Sequence, residues 1–141
     1  MPTSRKVLCA AYAVIAVAAL AGTWSQGGPY IHSVTGFLID FWRDTKVTGA
    51  SRFITVDIVM FCLSAMILMV IEARKHQIRF VWAYIVASLF IAISVMFPVF
   101  LLVRELRMGA AEPPRLHTVD AVLLAVFAAA LAGLSIWVDA G

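Results

Sequence analysis

The chain has 141 residues, of which 63% are hydrophobic and only 13% are charged, and its formal net charge is +3. Soluble domains are close to half apolar and a quarter charged, so this composition excludes an ordinary soluble globule. The eleven Lys and Arg residues are scattered over four short polar segments, which is typical of charges flanking membrane helices rather than of a nucleic-acid surface.

Four apolar blocks predict four helices, at about residues 7–24, 53–72, 80–103 and 119–138. A helix of about 20 residues covers a hydrocarbon core of roughly 30 Å, and each block approaches or exceeds that length. Backbone polar groups must be paired inside lipid, so each block should be helical. The sequence therefore predicts an all-α fold, an integral membrane four-helix bundle that forms one transmembrane domain over residues 1–141.

The first block has two interpretations. A basic start, "MPTSRK", and the small residues of "VAALAG" fit a cleaved signal peptide. The uncharged stretch continues to Ile31, however, which is long for a signal peptide and favours a retained helix.

The segment between the first two helices contains "SVTGFLIDFWRD". Its apolar residues recur at helical spacing on one face, and they are Val34, Phe37, Leu38, Phe41 and Trp42. This pattern predicts a short amphipathic helix lying in the membrane interface. A lid packed over the end of the bundle has the same pattern, so both interpretations stand.

The second helix carries an acid, Asp57, inside an otherwise apolar block. Asp57, Phe61, Ser64, Leu68 and Glu72 share one helix face, which we expect to point into the bundle. Ionisable groups in membrane helices are candidate functional groups, so Asp57 is the first candidate for a ligand- or proton-handling residue. The competing interpretation is an interfacial acid paired with a cation of the first loop, such as Arg43 or Lys46.

The third helix adds a second stripe with polar groups and contains Pro98, where the missing N–H predicts a kink. Two such stripes on consecutive antiparallel helices are expected to line one cavity. The predicted ligand-binding residues are Asp57, Ser64, Tyr84, Ser88, Ser94 and Pro98.

Charges at the helix ends are predicted to lie in the interface, and the relevant residues are Glu72, Arg74, Arg104 and Glu105. Within the first of these groups, Glu72 and His76 are four residues apart and can pair along the helix. On the fourth helix, Ala125, Ala129 and Gly133 form a small face suited to close helix packing or to a protomer interface.

With four membrane passes, the distribution of basic residues says little about membrane orientation. Five Lys and Arg residues fall on the side of the first residues and six on the other, so the positive-inside rule barely discriminates. The dense basic turn "EARKHQIR" favours both termini in the cytoplasm. No metal or cofactor is expected, because histidines are absent from the helix centres and the cysteines form no CxxC pair.

The stretch from Phe53 to Arg107 contains, in order, "VDIVMFCL", "IEARKHQI", the Trp of "FVWAY", and "SVMFPVFLLVRE". These motifs and their spacing resemble a bacterial family of small membrane proteins, domain of unknown function 2834. Many of those relatives carry a tyrosine in the last run, which this chain lacks. The resemblance implies a fold and an inner-membrane setting but no activity, because the family is uncharacterised. A fainter likeness, through "P-x-F…RE", is to membrane proteins of carotenoid and terpenoid metabolism.

Two hypotheses about function follow. Because no complete catalytic constellation is present, the sequence favours a small membrane protein that binds a lipid-like molecule such as an isoprenoid, or that acts as an accessory subunit or homo-oligomer. The alternative is a membrane-embedded, cyclase-like enzyme that modifies an isoprenoid or terpenoid, with Asp57 as the proton donor. Membrane lipids are expected partners and nucleic acids are not.

Overall fold

A computed structural model describes residues 3–27, 33–108 and 117–140, and all regular structure in these ranges is helical. In chain order the helices are α1 (Thr3–Trp24), α2 (Val34–Gly36), α3 (Trp42–Asp44), α4 (Gly49–Lys75), α5 (Val81–Phe90), α6 (Ile93–Arg107) and α7 (Thr118–Ala140). A π-helical segment, Phe37–Phe41, joins α2 to α3. Helices α1, α4 and α7 are long and apolar enough to cross a membrane. The predicted all-α class is confirmed.

The prediction of one continuous helix over residues 80–103 is wrong. The chain breaks at Ile91 and Ala92, where Ala92 is extended, so that α5 and α6 are separate helices. They run antiparallel, because the ring of Tyr84 lies edge-on against that of Phe100, with 5.8 Å between their centroids. Pro98, the expected kink, is buried inside α6. The break makes Ser94 only the second residue of α6, so the carbonyl crowded by the proline ring belongs to a first turn that can adjust.

Helix α6 packs along α1 more extensively than along any other described helix. The two helices are antiparallel, since Arg5 lies beside Glu105 at one end, and the Trp24 indole donates a hydrogen bond to the Ile91 carbonyl at the other. The first apolar block is therefore a packed part of the fold.

Different local interactions define the two ends of α4. At its start, Thr48 and Ser51 each bond the backbone N–H of the other, a reciprocal capping box that satisfies two helix-end donors. At its end, Gln77 and Phe80 adopt left-handed backbone conformations, and the Ile78 N–H returns to the Ala73 carbonyl. This tight turn brings α5 back against α4.

The core lies between α4, α5 and α6. Its buried apolar residues are Ala65, Met69, Ala73, Ile78, Val81, Ile85, Ile93 and Phe100. The small side chains of Ala65 and Ala73 flank Met69 on one face of α4, which allows close approach of the neighbouring helices.

Helix α7 lies at the edge and contains no buried residue. Its described hydrogen bonds to the rest of the protein are at its last turn, where the Asp139 carboxylate accepts from Ser25 at 2.9 Å and from Gln26 at 3.1 Å. The end of α7 thus lies beside the end of α1, and the start of α1 lies at the far end of the bundle.

Candidate functional site

An apolar cavity of about 520 Å³ lies between the last turn of α1, the middle of α4 and the break between α5 and α6. Most of its lining is aliphatic or aromatic, and the hydroxyl-bearing residues in it are Thr23, Ser88 and Ser94. Among the described residues that line the cavity, none is charged. Its volume is in the range of small-molecule sites.

Aromatic rings from the first connecting segment close one side of this cavity. Trp24 and Phe37 are stacked with 6.2 Å between their centroids, and Phe37 stacks in turn on Phe41 at 5.2 Å. The segment is therefore in contact with the bundle end, as the lid interpretation requires. Leu38 and Ile39 of the same segment point outward and are about half exposed, so one face of it still meets the surroundings.

The predicted ligand-binding residues fall into three groups. Ser88 and Ser94 line the apolar cavity. Tyr84 packs on Phe100, and Pro98 is buried in α6, so both belong to the packed helices rather than to the described cavity lining. The remaining two, Asp57 and Ser64, are exposed on α4 and lie outside the described lining.

The predicted inward face of α4 is wrong for all of its members except Glu72. Phe61 is 59% exposed and Leu68 is 45% exposed, and the exposed Asp57 and Ser64 lie on the same side. The helix is apolar nearly all round, so a weak polar stripe carries little information about which face is buried. Packing selects the face of small and flexible residues instead.

A charged cluster lies at the opposite end of the bundle from the cavity. It consists of Arg5 from α1, Glu72 and His76 at the end of α4, and Arg104 and Glu105 from α6. Arg104 joins two acids, since its Nε donates to Glu72 and its terminal nitrogen lies 3.1 Å from Glu105 Oε1. His76 Nε2 lies 3.3 Å from Glu72 Oε2, as expected from the spacing of these residues.

Two members of this charged cluster are almost wholly buried, Arg5 at 2% exposure and Glu105 at 3%. Arg5 Nε lies 3.6 Å from Glu105 Oε2, a distance longer than a hydrogen bond. Burying charges is costly unless each is paired, so removal of one member leaves its partner uncompensated. The cluster couples α1, α4 and α6 in one electrostatic unit.

Sequence reasoning assigned Glu72, Arg104 and Glu105 to the interface but did not join them, and it missed Arg5. Arg74, predicted with them, is exposed and outside the cluster. One signal was present in the sequence. Glu105 lies on the same face of α6 as the apolar Leu101, and an acid on a buried face requires a cation from another helix. Trp24, which lines the cavity, was not among the predicted ligand-binding residues.

The described residues contain no group of three or more His, Cys, Asp or Glu side chains that could hold a metal ion. Both cysteines are free and half-buried on different helices. The chemistry available at the described cavity is thus that of neutral hydroxyls, the Cys62 thiol and apolar surface.

The fold and these two regions define a class: an all-helical protein with three helices long and apolar enough to span a membrane. The chain belongs to the family described as protein of unknown function DUF2834, whose model matches residues 11–106. That match includes most of α1 and extends from there through α6 almost to its end, covering the apolar cavity and all of the charged cluster except Arg5. No curated protein and no solved structure matches the chain.

Proposed function

We propose that this protein is a small integral membrane protein, resident in the inner membrane of a bacterium, which holds a lipid-like molecule in the apolar cavity. The observation that carries the proposal is the cavity itself, about 520 Å³ with no charge in its described lining. The outer faces of the helices are strongly apolar, with Phe53 at 77% and Trp137 at 74% exposure. Exposed apolar surface on this scale is suited to lipid rather than to water.

The helix arrangement supports a membrane topology different from four complete passes. Helix α5 has ten residues, or about 15 Å at 1.5 Å per residue, half the thickness of a hydrocarbon core. It reverses into α6 at Ile91 and Ala92. We therefore assign α1, α4 and α7 as the membrane spans and α5–α6 as a re-entrant hairpin that starts and ends on the side of Arg5.

This topology divides the basic residues unevenly. On the side of Arg5 fall seven of the described basic residues, which are Arg5, Lys6, Arg74, Lys75, Arg79, Arg104 and Arg107. On the other side fall Arg43, Lys46 and Arg52. By the positive-inside rule the Arg5 side is cytoplasmic, which leaves the end of α7 outside. This replaces the expectation that both termini are cytoplasmic.

Labelling of single cysteines tests this topology. In a background with Cys9 and Cys62 changed to Ala, single Gln77→Cys, Lys46→Cys and Ala140→Cys variants are treated with a membrane-impermeant maleimide in intact and permeabilised cells. We expect Lys46→Cys and Ala140→Cys to react in intact cells, and Gln77→Cys to react only after permeabilisation. Reaction of Ala140→Cys and Gln77→Cys under the same condition would overturn the proposed topology.

Native mass spectrometry of the purified protein tests lipid binding. Leu63 lines the apolar cavity, so Leu63→Trp reduces its volume, whereas Leu68→Trp makes the same change on α4 outside the described lining. We expect one class of lipid to remain bound to the wild type and to Leu68→Trp and to be lost from Leu63→Trp. Equal lipid retention by all three proteins, or none by any, contradicts the proposal.

One observation favours a second candidate, self-association. Helix α7 has no buried residue, and Ala125, Ala129 and Gly133 form a small face along it. A second copy of the chain is the proposed partner. We expect Ala129→Leu to shift the oligomer to monomer in native mass spectra while Ala128→Leu, on another face, leaves it intact. A monomeric wild type, or equal behaviour of both variants, excludes this mode.

The cyclase-like alternative gains no support from the geometry. Asp57 is exposed on α4, outside the described cavity lining, so an apolar substrate held in the cavity does not meet its carboxyl group. It therefore ranks below the two binding functions.

A further inference from the structure

The lining of the apolar cavity carries information about the polar end of its ligand. The described residues around it contribute no charge, and the charged cluster lies at the opposite end of the bundle. An ionised head group in this cavity would lose its hydration without gaining a counter-charge, which is strongly unfavourable. The ligand must therefore be uncharged where it lies among these residues.

The hydroxyl groups of the lining are not equivalent to free hydroxyls. Thr23 donates its hydroxyl hydrogen to the Ala19 carbonyl at 2.7 Å, and Ser88 donates its own to the Tyr84 carbonyl at 2.7 Å. A hydroxyl group has one hydrogen and two acceptor lone pairs. Each of these oxygens can consequently accept a hydrogen bond from a ligand but has no hydrogen left to donate.

The Trp24 indole N–H is also occupied, because it is donated to the Ile91 carbonyl at 3.0 Å, and the Cys62 thiol in the lining is only a weak donor. Ser94 makes no side-chain hydrogen bond within the described part of the chain, so its hydroxyl can donate or accept. Acceptors thus outnumber available side-chain donors in the described lining. A ligand end that donates a hydrogen bond fits this set better than one that only accepts.

We infer that the ligand is an uncharged lipid alcohol, whose hydroxyl group donates to Ser88 or Thr23 and whose chain fills the apolar remainder of the cavity. This inference rests on the proposed lipid-binding function and adds the chemical class of the ligand. It separates lipid alcohols from fatty acids and phospholipids, which are charged, and from ethers and ketones, which only accept.

Photolabelling with competition tests it. The probe is a long-chain alcohol carrying a diazirine, incubated with the full chain in nanodiscs, and the competitors are the alcohol, methyl ether, ketone and carboxylate of one chain length. We expect labelling of cavity residues such as Leu63 or Met66, and competition by the alcohol about fivefold stronger than by the ether or ketone, as one net hydrogen bond provides. The carboxylate should compete least.

Substitutions test whether the hydroxyl groups of the lining cause the preference for the alcohol over the ether. Ser88→Ala with Thr23→Val should reduce the advantage of the alcohol over the ether to less than twofold while cavity labelling by the probe persists. Ser64→Ala removes a hydroxyl from the same helix bundle outside the described lining and should change nothing. A circular dichroism spectrum and melting point matched to wild type confirm that each variant is folded.

The outcomes separate the two proposals. Labelling of cavity residues with equal competition by alcohol, ether and ketone overturns the lipid-alcohol inference and leaves lipid binding in place. Strongest competition by the carboxylate also overturns the inference. Labelling spread evenly over the exposed faces of α4 and α7, with none concentrated at the cavity, overturns the proposed function itself.

Discussion

The two ends of the bundle bury different chemistry with the same helices. At one end, α1, α4 and α6 bring five ionisable side chains together, and Arg5 and Glu105 are almost wholly enclosed. At the other end, the same three helices and the end of α5 diverge around an apolar cavity whose described lining carries no charge. Charge pairing stabilises the Arg5 end of the bundle, whereas the opposite end keeps an apolar cavity.

Two parts of α4 therefore have different roles, one in the cavity and the other in the charged cluster. Residues from Ile58 to Met66 contribute to the cavity, whereas Glu72 and His76, less than three turns further, belong to the charged cluster. A buried ion pair constrains the relative positions of the helices that carry it, because two buried charges lose most of their mutual stabilisation when the helices shift. We expect the charged cluster to set the positions of α1, α4 and α6, and the cavity to tolerate substitution more readily.

Removal of the Glu105 charge gives the largest expected effect. Glu105→Gln removes the buried charge beside Arg5 and one of the two acids that contact Arg104, so the free energy of unfolding should fall by about 3–5 kcal/mol. Reversible unfolding in mixed micelles, followed by circular dichroism, measures it. Asp120→Asn makes the matched change at an exposed site on α7 and should cost a few tenths of a kcal/mol. Equal losses in both variants would refute the structural role of the charged cluster.

A double-mutant cycle sharpens the comparison at the level of one pair. Arg5→Met retains the apolar stem but removes the cation beside Glu105. We expect the Arg5→Met and Glu105→Gln double variant to be more stable than the sum of the single effects predicts, by about 1–2 kcal/mol. The readout is the same unfolding measurement. Strict additivity would mean that Arg5 and Glu105 are neighbours without energetic coupling.

At the cavity end, a single hydrogen bond gives a smaller effect. Trp24→Phe keeps an aromatic ring but removes the indole donor to the Ile91 carbonyl at the α5–α6 break, and should cost about 1 kcal/mol. Trp82→Phe is the control, because Trp82 is 60% exposed at the start of α5. If Trp24→Phe is no more destabilising than Trp82→Phe, the break does not depend on α1.

The long spans could be predicted from the sequence, because the length of an apolar block is a direct signal of a spanning helix. Blocks 7–24, 53–72 and 119–138 correspond to α1, α4 and α7, each extended by a few residues at one or both ends. Extension of α4 back to Gly49 results from the reciprocal bonds between Thr48 and Ser51.

The break at Ile91 and Ala92 could not be predicted, because "LFIAIS" contains no glycine or proline to interrupt a helix. Pro98 predicted an irregularity of the helix at the wrong position. Tertiary contacts decide the reversal: Trp24 bonds the Ile91 carbonyl, and Tyr84 packs against Phe100 only when α5 folds back on α6. Local sequence therefore underdetermined this part of the fold.

Only one pair of the charged cluster could be predicted from the sequence. Glu72 and His76 are one helical turn apart, so their pairing follows from spacing. Arg5 and Glu105 lie far apart in the chain, and nothing in the composition of either helix identifies the other as its partner. The same limit applies to the cavity, where Ser88 and Ser94 were expected, whereas only one of two open interpretations packed Phe37 and Phe41 over the end of the bundle.

The smallest expected effect is at Asp57, the acid that the sequence marked as the first candidate for chemistry. Asp57→Asn changes an exposed residue of α4 that belongs neither to the described cavity lining nor to the charged cluster, so stability should change by less than about 0.5 kcal/mol. Lipid retention in native mass spectra should also equal that of the wild type. A variant that stays folded but loses its lipid, or a cellular function that depends on this carboxyl group, would restore the cyclase-like hypothesis and move the active region from the cavity to the outer face of α4.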